Sequence, residues 1–318
     1  MRPAGSKKGV NRMGKFYYGG QAVMEGVMMR GPKTIGIAVR KEDNSLVTHK
    51  ENVKTFSDRY PILKRPFIRG TVALVESLII GTKALTFSAN QFASEDEQEQ
   101  LTPKEMVLTL GLSFGLAILL FIVLPAFLTR LIEHAITNTM LINLTEGLIK
   151  LAVFILYIVA ISLTPDIKRF FQYHGAEHKV INAYEAGVEL TVENVRPHTR
   201  YHMRCGTNFI TIVLVLNIFI FTLVTGGARL TFFPRVGAHL LLMPIVAGIS
   251  YEVLKYLGKD DSPKWAKVLA RPGLATQALT TREPDDGQIE TAIAALMEVL
   301  EADQSLDEKP QQKSQLTL

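Results

Sequence analysis

The chain has very little cysteine: Cys205 is the single one in 318 residues, so no disulfide can form within it. That suits a region facing a reducing compartment. Residues 1–15 are polar and basic with no apolar core, which predicts no cleavable signal peptide. No run interleaves basic and aromatic side chains, so the net charge of +5 does not read as a nucleic-acid surface. The glycines of Gly19–Gly20, Gly26 and Gly31 are not followed by Gly-Lys-Ser/Thr, which excludes a phosphate-cradling loop. What the chain has is apolar residues, 47% of the total, distributed unevenly. Mean hydropathy is only +0.18, because uncharged blocks alternate with water-facing ones.

Four blocks are long enough to cross a bilayer: Met106–Leu128, Leu148–Thr164, Asn208–Thr225 and Val236–Leu257. Lys150 lies near one end of the second and can snorkel. His239 and Glu252 of the fourth also read as near-end residues. Residues 70–92 are helical in pattern, but Glu76 and Lys83 share one face, favouring an interfacial or bundle-packed helix over a lipid-facing span. The expected class is a mainly α-helical polytopic membrane protein of about four transmembrane helices, with a small N-terminal β-rich unit. Ile35, Ile37 and Val39 alternate with smaller residues, Glu42–Ser45 signals a turn, and Leu46–Val53 reads as a return strand.

The resulting division is a basic arm over 1–15, a β-rich unit over 16–66, and a helix with acidic linker (Ser94–Gln100) over 67–100. The first two spans occupy 101–164, a polar segment 165–207, and the other two spans 208–258. A C-terminal segment covers 259–302, where Ile289, Ile293, Leu296 and Leu300 predict an amphipathic helix over 286–302, and a polar tail expected to be disordered covers 303–318. Lys168, Arg169, Lys179, Arg196, Arg200 and Arg204 fill the central loop, and Lys255, Lys259, Lys264 and Lys267 follow the last span. The positive-inside rule therefore places that loop and both termini in the cytoplasm, in a bacterial-type plasma membrane.

The chemistry concentrates in 166–206. Pro165-Asp166 can open a helix and Gly187 can close it. Within it, His174 and His178 fall about 40° apart around the helix axis, Glu185 joins the stripe, and Glu177 lies about 60° to one side. Two imidazoles so placed can converge on one ion. The order His-x-x-Glu-His is the reversed zincin arrangement, in which the Glu acts on the ion's water and does not bind the ion. A second cluster, His198, His202 and Cys205, precedes the third span; a neutral imidazole and a thiolate both suit a divalent ion of the zinc type. His198 reads as a surface residue. The competing reading makes these histidines interfacial residues of a basic loop. A metal site here, in turn, could be catalytic or structural.

Three longer blocks carry a resemblance: GGQAVMEGVMMRGP at Gly19–Pro32, YHGAEHKVINAYEAG at Tyr173–Gly187 continued by LTVENVRPHTRYHMRCGTNF at Leu190–Phe209, and RPGLATQALTTREPDD at Arg271–Asp286. Over about residues 16–302 the chain resembles the YqhQ-type domain-of-unknown-function family of bacterial and chloroplast membrane proteins. The resemblance implies several spans, and members are commonly labelled predicted metal-dependent enzymes, a label that rests on the same histidines. His174, Glu177 and His178 match one family motif, and His202, Cys205 and Gly206 another. His198 has no counterpart, and Met203 replaces a common Pro.

These expectations assemble into a metal-dependent membrane hydrolase acting on a lipid-linked or membrane-protein substrate. Its ligands come from His174, His178, His202, Cys205 and Glu185, with Glu177 as catalytic base. The bilayer is the expected partner, with other membrane proteins as candidates and no nucleic acid. The rival is a scaffold or assembly factor with a structural metal site. A transporter reading is disfavoured, because Asn217 is the one clearly polar residue deep in a span.

Overall fold

The computed structural model describes residues 18–53, 55–92, 103–226, 228–259 and 262–315. The basic arm (1–15) and the acidic linker (94–100) lie outside them. Four strands, β1 (Gly19–Val23), β2 (Gly26–Arg30), β3 (Thr34–Arg40) and β4 (Leu46–Asn52), form an antiparallel sheet in sequential order. Val23 pairs with Gly26 across a two-residue turn of Met24 and Glu25, and Glu25 takes φ +47°. Glu25 is held there by Arg169 Nε (2.5 Å) and the Tyr173 hydroxyl (3.2 Å).

Helices follow: α1 (Phe56–Arg59), α2 (Ile68–Phe92), α3 (Pro103–Ile118), α4 (Leu124–Ile132), α5 (Thr139–Ile161), α6 (Pro165–Ala186) and α7 (Val192–Val195). The last five are α8 (Gly206–Thr225), α9 (Phe232–Leu257), α10 (Lys264–Leu269), α11 (Arg271–Thr280) and α12 (Asp286–Gln315). A π-helical turn at Leu119–Val123 joins α3 to α4 into one rod. Helical backbone in α12 continues past 302, where the apolar stripe ends, because Leu, Glu, Lys and Gln of the continuation are good helix formers.

The sheet is covered on both faces, which is why β2 and β3 are buried almost throughout instead of alternating. On one face Val27, Met29 and Ala38 pack with Tyr173, Ala176 and Val180 of α6 and with Ile289, Ala292, Leu296 and Val299 of α12. On the other, Val23, Met28, Ile35, Ile37 and Val39 pack with Ala84 of α2. The β-rich unit thus has no core of its own: segments from both ends and the middle of the chain complete it.

Among the described residues, five helices have the length and apolar character to cross a membrane: Ile68–Gln91, Val107–Ala135, Thr139–Ile161, Gly206–Thr225 and Phe232–Leu257. This is a multi-pass membrane protein. Packing limits how many of the five cross. The sheet precedes all of them, α6 follows three, and α12 follows five, yet the three pack as one layer and so share a side. An even number of crossings must separate each from the next, so one of the first three helices does not cross. That helix is α2. It crosses α9 where Gly70 meets Gly248, and its far half stays with the sheet through Ala84 and through Ser88, whose Oγ accepts from Met24 N (3.1 Å). The expected arrangement is four crossings in two hairpins, with α6 between them.

Candidate metal centre

Both ends of α6 are set as its sequence requires. Pro165 occupies the first turn with Asp166 at the positive end, and Gly187 terminates the helix in the left-handed conformation at φ +72°. Cys205 lies just before α8 and caps it, its Sγ accepting from Thr207 N at 3.3 Å. The segment after α11 lies over α6: Arg282 N donates to Phe171 O at 2.8 Å, and a Cβ on Gly175 would fall 2.1 Å from Arg282 O. Glycine at 175 is what admits that backbone.

This contact brings a helix C-terminus onto a histidine. His174 Nδ1 lies 2.8 Å from Thr280 O, and His178 Nδ1 lies 2.6 Å from Arg200 O. A carbonyl oxygen can only accept, so each Nδ1 carries its proton and each Nε2 keeps a lone pair in the neutral ring. His174 Nε2 is 3.2 Å from Cys205 Sγ, and the two imidazole centroids are 4.4 Å apart. Among the described residues, one group has three donor atoms close enough to share an ion: His174, His178 and Cys205, all within 4.8 Å of one another.

His202 and Glu185 fall outside that group. The His202 ring is 5.6 Å from His178, but its Nε2 faces Glu185 (3.8 Å) and Arg204 Nη2 (3.3 Å). Arg204 also holds the Glu185 carboxylate. Burial, reinforced by the charges of His178 and Arg204, depresses the His202 pKa against the pull of Glu185. Burial acts to raise the Glu185 pKa, but hydrogen bonds and charge from His202 and Arg204 outweigh it, leaving the group low. The backbone of His202 is tied to Gln277: its N donates to Gln277 Oε1 (2.9 Å), and Gln277 Nε2 donates to His202 O (2.7 Å) and Asn208 Oδ1 (2.9 Å). His198 is half-buried in the turn after α7.

Glu177 is buried on the side of α6 that meets β1, where Gly20 N–H donates to it. Burial raises its pKa to about 7, against the charge of His174 and the Gly20 hydrogen bond. Sequence reasoning missed Gln277, Asn208, Thr280 and Gly175, which position the cluster. The Arg271–Asp286 block was the signal that could have found two of them, Gln277 and Thr280.

The family model described as Protein of unknown function (DUF1385) matches residues 65–302. Over 310 residues the chain is 38% identical to the Uncharacterized protein YqhQ of Bacillus subtilis (strain 168), covering 93% of this chain and 96% of that one. No solved structure matches the chain. With three quarters of its length inside the family model and near full-length identity to that relative, this chain belongs to the DUF1385 family.

Proposed function

We propose that His174, His178 and Cys205 hold a divalent ion, zinc by donor type, in a membrane enzyme of hydrolytic character. The observation that carries this reading is the paired tautomers. Each histidine donates Nδ1–H to a backbone carbonyl, which leaves its Nε2 as the acceptor, and that of His174 lies 3.2 Å from Cys205 Sγ. Carbonyl acceptors on the far ring nitrogen orient ligating imidazoles and raise their basicity. Interfacial histidines in a basic loop have no need of it. The α8 N-terminus beside Sγ complements the charge a thiolate ligand carries. Three protein donors leave a fourth position for a substrate or water, as in catalytic zinc sites.

The ion would supply Lewis acidity, making water a nucleophile near neutral pH. Glu177, held near neutrality by burial, would be the residue of this chain that accepts a proton there, the part its place in the His-x-x-Glu-His order suggests. His202 and Glu185 fix the loop that carries Cys205, through Arg204 and Gln277. The charge of the central loop favours a cytoplasm-facing site in a bacterial-type plasma membrane, with both termini on that side. The closeness of Cys205 to the start of α8 favours a lipid-linked or membrane-protein substrate.

Glu177→Gln tests the enzymatic part. It should leave fold and metal content intact and reduce hydrolytic turnover, or complementation of a deletion strain, by about 100-fold or more. Unimpaired complementation by a metal-replete Glu177→Gln protein contradicts it. One observation favours the rival scaffold reading: the cluster joins α6, α8 and the end of α11 where the sheet layer meets the spans, as a structural staple would. That reading predicts that Glu177→Gln is silent while Cys205→Ser loosens the protein.

A further inference from the structure

A second cluster of ionisable groups lies inside the bilayer, remote from the His/Cys site. Lys150 is the twelfth of the 23 residues of α5, about 16 Å along the helix from its sheet-side end. Its Nζ lies 2.9 Å from Glu146 Oε1, 2.8 Å from His239 Nε2 and 3.4 Å from Asn217 Oδ1. Arg235 donates to Glu146 Oε2 at 2.9 Å, and Phe221 stacks on the His239 ring at 3.8 Å. Three helices and a turn thus meet the imidazole or its partners. α5 brings Glu146 and Lys150, α9 brings Arg235 and His239, α8 brings Asn217 and Phe221, and the turn after α4 brings Glu133, 3.5 Å from Arg235. Two carboxylates balance two cations when His239 is neutral.

One nitrogen in this cluster has two incompatible partners. His239 Nε2 is 2.6 Å from Glu146 Oε1, which needs an N–H, and 2.8 Å from the Lys150 ammonium, which needs a lone pair. A neutral ring with its proton on Nε2 serves Glu146 and accepts from Lys150 only at Nδ1 (3.2 Å); a protonated ring keeps Glu146 and releases Lys150 toward Asn217. The same heavy atoms therefore support two proton arrangements that differ by one charge. The cluster also has a wet end. Glu133 is partly exposed at the face away from the sheet. Thr129 Oγ1 and Asn143 Nδ2, one turn from Glu133 and Glu146, are buried without a hydrogen-bond partner. Such groups at membrane depth favour water entering from that face.

We propose that Glu146, His239 and Lys150 form a proton-binding site within the bilayer, reached past Glu133 from the face opposite the His/Cys cluster. One proton leaves bulk water for the His239 imidazole, where Glu146 accepts its hydrogen bond. The cluster then passes from balanced charge to +1. Because Lys150 and His239 contact α8 through Asn217 and Phe221, loading is felt by the helix that begins after Cys205.

The test is a pH titration of the full-length protein in lipid vesicles by infrared difference spectroscopy across the range where imidazole titrates, about pH 5 to 8. The proposal expects imidazole and carboxylate bands that titrate in the wild type and vanish in His239→Gln. Glu133→Gln, at the exposed rim, should keep the bands but slow their appearance several-fold after an external pH jump. A wild-type spectrum without membrane-embedded titrating bands overturns the proposal without any variant, leaving a fixed ion-pair rivet. Bands that persist in a folded His239→Gln, or an unchanged rate in Glu133→Gln, overturn it as well.

Discussion

The positions of two protons decide what His174 and His178 can do. With Nδ1–H on Thr280 O and on Arg200 O, each Nε2 is committed as an acceptor, and that of His174 faces Cys205. Neither carbonyl belongs to a residue that sequence reasoning would single out, because a backbone acceptor carries no side-chain signature. Spacing made the pair of imidazoles on α6 legible, and His202 and Glu185 equally suggestive; Arg204 separates these two from the cluster by engaging both. Gly175 supports the arrangement from below. Gly175→Ala should push Arg282 O and the Thr280 carbonyl away from α6, costing about 1–3 kcal/mol from overpacking. Thermal unfolding should show the loss, and metal affinity should fall with it; a variant of unchanged stability and affinity would contradict the account of Gly175.

At the element scale, the starts and stops of α6 could be read from Pro165 and Gly187, whose chemistry is local. The strands were legible from alternation at Ile35, Ile37 and Val39, but their burial on both faces was not, since α2, α6 and α12 arrive from distant parts of the chain. The start of α5 was misplaced. An apolar window opens at Leu148, whereas the helix begins at Thr139 behind an Asn138 cap that accepts from Met140 N (2.8 Å). Those nine residues move Lys150 from a snorkelling end to the middle of the span and bring Glu146 into the membrane. His239 likewise joins a buried cluster and not a span end. Docking of α12 is the element most open to test. Leu296 is fully buried against the sheet layer, so Leu296→Ala should cost about 2–5 kcal/mol in a denaturant or thermal series.

Glu298 adds a pH dependence to the same contact. A hydrogen bond from Thr48, then the hydrogen bond and charge of Lys50, hold its carboxyl below the usual carboxylate range against slight burial. A depressed folded pKa means the contribution is complete above the unfolded pKa and is lost as pH falls through the folded one. Glu298→Gln should therefore show a smaller drop in Tm on acidification below about pH 4.5 than the wild type. An identical drop would mean that this carboxylate does not contribute to docking.

At the scale of the whole molecule, parity is the strongest constraint. A sheet before the spans, a helix between them and a helix after them share one core, so the expectation is four crossings with α2 on the sheet's side. Hydropathy does not reveal this, because α2 is as long and apolar as a span. On a Cys205→Ser background, cysteines at exposed Glu51 and Thr137 should react with an impermeant maleimide from opposite faces of oriented vesicles. Labelling of both from one face would break the topology.

The central claim is the ligand set, and zinc-edge X-ray absorption on the purified, zinc-supplemented protein reads it directly. The expected spectrum has one sulfur at about 2.3 Å and two imidazole nitrogens at about 2.0–2.1 Å, with a lighter fourth neighbour. Cys205→Ser should remove the sulfur shell. Substoichiometric metal in the wild type, or a first shell without sulfur, would contradict a centre built from His174, His178 and Cys205.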